Sequence, residues 1–283
     1  MATTPQPIRT VKAFYAGRGI RSLSRDVARK IIISLKASRR NPTGSTGWVR
    51  FPYYHHVFDD ERAGFEKHLR YYKSIADIIS LDDALELMTG DTPIDGRYIC
   101  ITFDDGFKNW TDNALPILKD MGAVAAFFVA TDYIGTDVNA DRDKLLKFYD
   151  SGDKLMEFMT WDDCRSLHDA GMTVGSHSVH HAHLADIDYE AAQAEMVNSK
   201  KTIEDELANP CDHFCCPFGV PGVDFDTTTH PSMARDAGYK SFLTTRRGPN
   251  TLGADPFAVR RDHMLANASL LEVRYFLGAE DNP

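Results

Sequence analysis

The order of apolar segments along the chain constrains its fold more than any other feature of the sequence. From residue 49 onward, short apolar segments typical of strands alternate with segments whose apolar residues have helical spacing. Strands that alternate with helices in this way form parallel sheets with right-handed crossovers. About seven such units in residues 49–283 predict one large α/β domain, built as a barrel or near-barrel. An open doubly wound sheet is the alternative.

The apolar patterns also give the individual elements. Strands are predicted at VRFPYYHHV (49–57), RYICITF (97–103), VAAFFVA (124–130), MTVGS (172–176), HFCCPF (213–218), YKSFLTT (239–245) and PFAVRR (256–261). Helices are predicted at residues 63–75, 81–88, 108–120, 160–171, 188–208 and 227–238. Ser80 is a suitable N-cap, with Asp83 as the acidic half of a capping box. Residues 132–158 are predicted to form an elaborated loop that contains a helix.

Residues 1–48 precede this domain as a basic leader. Residues 1–40 contain ten Lys and Arg residues and one acidic residue, Asp26, which gives them a charge of +9. Val27, Ile31 and Leu35 recur at i, i+4 and i+8, a spacing that predicts a basic amphipathic helix. The leader either packs on the acidic body of its own chain or of a second subunit, or contacts anionic lipid at the inner leaflet of the membrane. The longest aliphatic run near the N-terminus, residues 31–33, is too short for a spanning helix or a signal peptide, so the expected location is the cytoplasm.

Charge and cysteine content exclude several classes of protein. The net charge is −9, so the residues after 40 carry −18, which argues against nucleic acid as the main partner. The five cysteines are odd in number, and two of them are adjacent, unlike a disulfide framework. Buried reduced thiols are expected. A soft-metal site at Cys211, Cys215 and Cys216 is the alternative, although no zinc-ribbon spacing surrounds them.

Residues with reactive side chains follow several of the predicted strands. The carboxyl ends of the strands in a parallel barrel lie on one rim, where the active site forms. The residues expected on this rim are Asp104, Asp105, His177, Phe218, Gly219, His55, His56, Arg261 and His263.

Two histidines and a carboxylate on this rim are consistent with a metal site. His177 and His181 are four residues apart, which places both imidazoles on one face of a helical turn. Two imidazoles and one carboxylate bind zinc or a similar divalent ion, with positions left for water. His180 and His183 lie in the same segment, and His177 with His180 is a second geometric option.

Asp104 and Asp105 are adjacent despite their mutual repulsion. A cation that holds one carboxylate leaves the other free to accept a proton from water, whose pKa the metal lowers. The alternative is that both residues cap the following helix, because Asp-Gly forms a good turn.

Three motifs identify a resemblance to a known family. TFDDG (102–106), HSxxH (177–181) and CPFG (216–219) resemble the polysaccharide deacetylases, also called NodB-homology or carbohydrate esterase family 4 enzymes, and the similarity extends over residues 49–278. The resemblance implies a distorted (β/α) barrel that removes acetyl groups from N-acetylated sugars with one divalent metal ion. In the family pattern, Asp104 corresponds to the general base and Asp105, His177 and His181 to the metal ligands. Phe218, after Pro217, corresponds to the residue whose backbone N–H binds the oxyanion.

The sequence departs from the family pattern in its third motif. An arginine that braces the base often begins this motif, but residues 212–214 contain none, so Arg260 or Arg261 is expected to supply the charge. The family commonly has a histidine general acid near this end of the chain, and His263 is the candidate; the alternative is a surface or capping histidine. His55 either lines the pocket or packs in the core.

These residues lead to one principal function and two alternatives. The principal hypothesis is a metal-dependent hydrolase that removes N-acetyl groups from an amino-sugar-containing glycan or glycan precursor. Soluble oligosaccharides, nucleotide-linked sugars and lipid-linked glycans are the substrate classes considered. The alternatives are an O-acetyl esterase, or another amidase, that uses the same site, and a glycan-binding protein that has lost activity. Zinc is the expected metal, although cobalt, nickel and manganese accept the same ligands.

Overall fold

The computed structural model describes residues 6–16, 33, 36, 37 and 42–278. The strands are β1 Trp48–Arg50, β2 Pro52–Tyr54, β3 Asp77–Ile78, β4 Arg97–Ile99, β5 Ile101–Asp105, β6 Ala125–Val129, β7 Thr173–Ser176, β8 His213–Cys215, β9 Ser241–Leu243 and β10 Asp262–His263. The α-helices of the described part are α1 Val11–Phe14, α2 Arg62–Ile75, α3 Leu81–Thr89, α4 Leu115–Asp120, α5 Arg142–Leu146, α6 Trp161–Asp169, α7 Tyr189–Leu207, α8 Thr229–Asp236 and α9 Leu270–Leu277.

Seven strands form the main sheet, in the order β10-β2-β5-β6-β7-β8-β9, and every neighbouring pair is parallel. The sheet curls into a half-barrel because one backbone segment connects its two edges. Val259 forms a parallel bridge with Leu243 of β9, and β10 pairs with β2 a few residues later. The alternation of strands and helices therefore predicted the fold class correctly, and the open doubly wound sheet is excluded.

Two predicted strands are each divided between two sheets. VRFPYYHHV becomes β1 and β2, and RYICITF becomes β4 and β5; β1, β4 and β3 form a separate three-stranded parallel sheet. Pro52, the first residue of β2, explains the first division. Because it has no backbone N–H, the hydrogen-bond ladder of β1 cannot continue through it into β2. In the second case, the chain changes partners around Cys100, from β1 and β3 to β2 and β6.

The last predicted strand, residues 256–261, is misplaced. Residues 256–258 form a 3-10 turn, because Pro256 occupies its first position and the Asp255 side chain accepts a hydrogen bond from Phe257 N. The strand is β10, which begins only at Asp262. Arg261 therefore precedes this strand and His263 lies in it, whereas both were expected to follow it.

Most predicted helices are present within a few residues of their expected limits. Ser80 caps α3 and Thr160 caps α6, each by accepting a hydrogen bond from the backbone N–H three residues later. The helix predicted at 108–120 begins with a π-helical turn over Trp110–Ala114, before α4. Residues 132–158 contain α5, as expected.

Apolar side chains fill both faces of the main sheet. On the helix side, Phe103 and Phe127 stack with ring centroids 4.6 Å apart. Their neighbours along the chain, including Ala126 and Phe128, belong to a separate buried cluster with Leu243 and Val259. All five cysteines are buried free thiols, as predicted. No helix of the described residues is both long and apolar enough to span a membrane.

The basic leader is described in part. Residues 6–16 pack on the body of the same chain, in agreement with one reading of the charge pattern; for example, Ile8 N donates to Leu155 O at 2.9 Å. Most of the predicted amphipathic helix lies outside the described residues. The boundary at residue 48 and the contact with lipid remain predictions.

Candidate metal centre and catalytic site

Asp104 and Asp105 are the last two residues of β5, in the interior of the half-barrel sheet. Both are almost fully buried, with exposed fractions of 2% and 3%. Asp105 has a φ of 99°, a conformation that a residue with a side chain rarely adopts. Strained backbone of this kind persists where the surrounding structure determines it, and it is concentrated at functional sites.

His177 and His181 converge on Asp105. Their Nε2 atoms lie 3.4 and 3.2 Å from Asp105 Oδ1. The structure therefore brings the predicted pair together at Asp105, but the helical turn that was expected to do so is absent. Residues 177–183 form an irregular loop after β7, in which Ser178 and His181 have positive φ values of 66° and 57°.

The other two histidines of this segment point to different partners. His180 Nδ1 lies 2.5 Å from Glu195 Oε1, and His183 Nδ1 lies 3.0 Å from Asp224 Oδ1. Among the described residues no candidate metal cluster contains His180, so the His177–His180 option gains no support. Glu195 also accepts hydrogen bonds from the backbone N–H groups of residues 179 and 180, so it helps to hold the loop.

The three converging side chains fit a divalent metal ion. One ligand atom from each of Asp105, His177 and His181 lies within 4.8 Å of the others. Asp105 Oδ1 is buried and has no hydrogen-bond partner among the described residues, so a cation would satisfy it. His177 Nδ1 lies 2.8 Å from Cys215 O, which fixes the ring with Nε2 directed at the site.

The electrostatic environment favours, in Asp105 and His181, the protonation states that a metal requires. Burial opposes ionisation of Asp105, but His55, His177 and His181 outweigh it and hold the pKa of this carboxyl well below its usual value. Burial lowers the pKa of His181, which favours the neutral imidazole that metals bind.

A second cluster, of Asp104, His177 and Cys215, is a poorer metal site. Burial raises the pKa of the Cys215 thiol well above its usual value, whereas metals bind the thiolate. Both oxygens of Asp104 are engaged by Arg261. Among the described residues, no candidate cluster contains Cys211 or Cys216, so the soft-metal alternative gains no support.

Arg261, rather than Arg260, supplies the charge expected beside Asp104. Its Nη1 and Nη2 atoms donate to the two oxygens of Asp104, both at 2.7 Å, and the guanidinium is fully buried. Burial tends to raise the pKa of Asp104, but the charge and hydrogen bonds of Arg261 outweigh burial and lower it. Asp104 is therefore a carboxylate at neutral pH.

Residues that the sequence did not single out position this arginine. Arg261 Nε donates to Thr244 O at 2.9 Å, and Nη1 donates to Thr102 Oγ1 at 3.2 Å. The guanidinium also lies 4.3 Å from the centre of the Tyr53 ring.

The sequence also did not single out Glu195, although a signal for it was available. Glu195 shares the buried face of α7 with Ala192 and Met196, where an unpaired carboxylate is costly.

Phe218 follows β8 in a left-handed conformation, with a φ of 58°. Its ring is 42% exposed and stacks on His183, at a centroid distance of 3.5 Å. Its backbone N–H has no acceptor within the described part of the chain. The N–H of the following residue, by contrast, donates to Pro217 O at 2.6 Å.

His55 and His263 lie together on the same rim. Their ring centroids are 5.1 Å apart, and both rings also contact Tyr53. Burial, followed by the charges of His55 and Arg247, lowers the pKa of His263 to about 3. His263 is therefore neutral at pH 7 in this structure, which does not favour its predicted role as a proton donor. His56 is partly buried, and its Nε2 atom lies 2.8 Å from the Tyr149 hydroxyl.

Fold and geometry together define an α/β half-barrel with a candidate divalent-metal site at the carboxyl end of its sheet. The family model for polysaccharide deacetylases matches residues 91–242, more than half of the chain. The chain therefore belongs to the polysaccharide deacetylase family, as its motifs predicted.

Individual relatives agree with this family. The protein named "Putative polysaccharide deacetylase YxkH", from Bacillus subtilis (strain 168), is 23% identical over 203 residues; the match spans 67% of this chain and 66%, just under two thirds, of the relative. IcaB from Ammonifex degensii superposes with a TM-score of 0.66 at 20% identity, over 83% of this chain and 98% of IcaB. The deacetylase PplD from Streptococcus pyogenes gives a TM-score of 0.65 at 19% identity, over 82% of this chain and 99% of PplD. These two structures establish the shared fold, a distorted (β/α)7 barrel.

Proposed function

We propose that this protein is a metal-dependent hydrolase that removes N-acetyl groups from an amino-sugar-containing glycan or glycan precursor. One observation carries the proposal. His177 and His181 converge on Asp105 Oδ1, a buried carboxylate oxygen without a hydrogen-bond partner among the described residues. The adjacent Asp104 is held as a carboxylate by Arg261. The two neighbouring carboxylates thus have two separate environments, one suited to a cation and one suited to accepting a proton.

Asp105, His177 and His181 would hold the metal ion. When bound, a divalent ion supplies Lewis acidity, which polarises a carbonyl oxygen and lowers the pKa of nearby water. Zinc is the proposed ion because two imidazoles and one carboxylate are a common zinc ligand set, and cobalt, nickel and manganese accept the same groups.

Asp104 is the proposed general base. Each carboxylate oxygen accepts more than one hydrogen bond, so Asp104 can take a proton from water while both of its oxygens remain bonded to Arg261. Arg261 also fixes the orientation of the carboxylate, since the two bonds restrain both oxygens.

The N–H of Phe218 is the proposed oxyanion donor. An oxyanion donor has to be a preorganised N–H that is not engaged elsewhere. The Phe218 N–H meets both conditions, since its left-handed backbone is fixed by the loop and it has no acceptor within residues 42–278. The role of His263 as proton donor to the leaving amine, and the cytoplasmic location, remain predictions from the sequence.

Acetate release from matched substrates tests the proposal. The metal-loaded protein is incubated with N-acetylglucosamine oligosaccharides and, separately, with O-acetylated xylan oligosaccharides, with and without a chelator. We expect acetate from the N-acetylated substrates and loss of release after chelation. Release from the O-acetylated substrates alone would replace the proposal with an O-acetyl esterase. Binding of the oligosaccharides without release of acetate from either class would favour a glycan-binding protein.

A further inference from the structure

The N-terminal segment, residues 8–15, is attached to the body of the chain by main-chain and side-chain bonds. Ile8 N donates to Leu155 O, and Asp59 N donates to Arg9 O, both at 2.9 Å. The Arg9 guanidinium lies 3.2 Å from carboxylate oxygens of Asp59 and Asp112. Exposed ion pairs of this kind contribute little individually, but together with the main-chain bonds they fix where the segment lies.

The helical turn α1 places an aromatic side chain at the surface of the body. The ring of Phe14 lies 5.3 Å from the ring of His56, and 5.5 Å from each of the rings of Phe58 and Tyr149. Val11 N donates to Asp60 Oδ1 at 2.9 Å, which holds the beginning of this turn. Phe14 is therefore part of an aromatic cluster of the body, although it comes from the leader.

A cavity of about 190 Å³ lies between this segment and the rim of the half-barrel. Val11, Phe14 and Tyr15 of the leader line it, as do His55 and His263 of the rim and residues 264–266. Most of the lining is apolar or aromatic. A cavity of about 150 Å³ with an apolar lining is large enough to bind benzene, so this one accepts a group at least as large as a phenyl ring.

The cavity meets the rim of the half-barrel at His55 and His263, which both line it. His263 lines the cavity, and its ring lies 5.0 Å from the ring of Tyr53. Tyr53 also contacts the guanidinium of Arg261, at 4.3 Å, which holds Asp104. The cavity therefore adjoins the rim at which the sugar is proposed to bind.

We propose that this cavity binds an apolar substituent of the acetylated sugar, and that Phe14 makes the leader part of the substrate site. The inference rests on the proposed deacetylase function and narrows its substrate class to sugars with an apolar substituent. Such a substituent has two sources, an apolar aglycone or an N-acyl group longer than acetyl. Both have the same chemistry, and an experiment with two arms distinguishes them.

The experiment measures kcat/KM by release of the free amine from the metal-loaded, full-length protein. The first arm compares the phenyl and methyl β-glycosides of N-acetylglucosamine, and the second compares N-hexanoyl with N-acetyl groups on the methyl glycoside. Phe14→Ala removes the wall, and Phe14→Trp fills the cavity. Lys12→Ala, an exposed change on the same turn, is the matched control. Thermal unfolding of each variant verifies that it is folded.

Burial of a phenyl-sized group predicts about a tenfold preference in one of the two arms for the parent protein. Both Phe14 substitutions lower this ratio at least about threefold, whereas Lys12→Ala leaves it unchanged. Absence of a preference in both arms, or a preference that is unaffected by both Phe14 substitutions, overturns the inference.

Calorimetric binding of the phenyl and methyl glycosides separates this inference from the proposed function. If no substrate is hydrolysed, the deacetylase proposal fails. Tighter binding of the phenyl glycoside that is lost in Phe14→Trp would then still support an apolar-group site, and equal binding of the two glycosides would overturn it.

Discussion

Replacement of Arg261 by methionine tests the ion pair on which the proposed base depends. Arg261 is fully buried, and Asp104 is 2% exposed. Without Arg261, the remaining hydrogen-bond contact of the Asp104 side chain within the described residues is the one with Cys215 Sγ, at 3.6 Å. Removal of one partner of a buried ion pair costs about 3–5 kcal/mol, because the other charge remains in a medium that does not solvate it. We therefore expect Arg261→Met to lower the free energy of unfolding by this amount.

A double-mutant cycle isolates the pair from other effects of the substitution. Arg261→Met, Asp104→Asn and the double variant are compared by denaturant unfolding at one pH and one metal concentration. The double variant lacks both charges, so its loss of stability should be smaller than the sum of the single losses by about 1–3 kcal/mol. Arg165→Met removes the exposed ion pairs with Asp162 and Glu206 and serves as the control, with an expected effect below about 1 kcal/mol. Additivity of the two single effects within about 0.5 kcal/mol would refute the reasoning.

Three further predictions concern a buried acid, a metal ligand and a glycine. Burial raises the pKa of Glu61 to about 7, so the folded protein retains a proton that the unfolded chain releases near pH 4.5. Relative to Glu61→Gln, the free energy of unfolding of the parent should therefore fall by about 3 kcal/mol as the pH rises from 4.5 to 7. Parallel curves of unfolding free energy against pH for the two proteins would contradict this. His181→Ala should lower the affinity for zinc by more than about 100-fold, while His180→Ala should retain zinc. Titration against a chromogenic chelator measures both affinities, and equal losses would contradict the ligand assignment. Gly64→Ala should lower the free energy of unfolding by about 1–3 kcal/mol, because the new Cβ would overlap Ala266 O. In a helix without this contact the same substitution usually raises stability, so a rise in thermal or denaturant unfolding would contradict the close approach of Gly64 to Ala266.

The fold was largely predictable because period and spacing are properties of the sequence itself. The helical spacing of Phe65, Leu69 and Tyr72 predicted α2 to within one residue of its limits. What the pattern did not reveal is which sheet a strand joins. Apolar runs such as RYICITF look continuous in sequence, whereas the change of partner at Cys100 depends on strands distant in the chain.

The convergence of Asp105, His177 and His181 was predictable from the sequence, but its geometry was not. His177 and His181 were selected by a helical spacing that the structure does not contain, and left-handed residues in an irregular loop bring them together instead. The choice between Arg260 and Arg261 was also beyond the sequence. Successive side chains around a strand point to opposite faces, so the choice required the start of β10, which was misplaced.

Parallel measurements on Asp104→Asn and Asp105→Ala test the central claim, that the two carboxylates have separate tasks. Metal per chain by elemental analysis and acetate release from an N-acetylated oligosaccharide are measured on the same preparations as the parent. We predict about one equivalent of metal and no turnover for Asp104→Asn, and loss of both metal and turnover for Asp105→Ala. Near-parent turnover by Asp104→Asn, or full retention of metal by Asp105→Ala, would contradict the account.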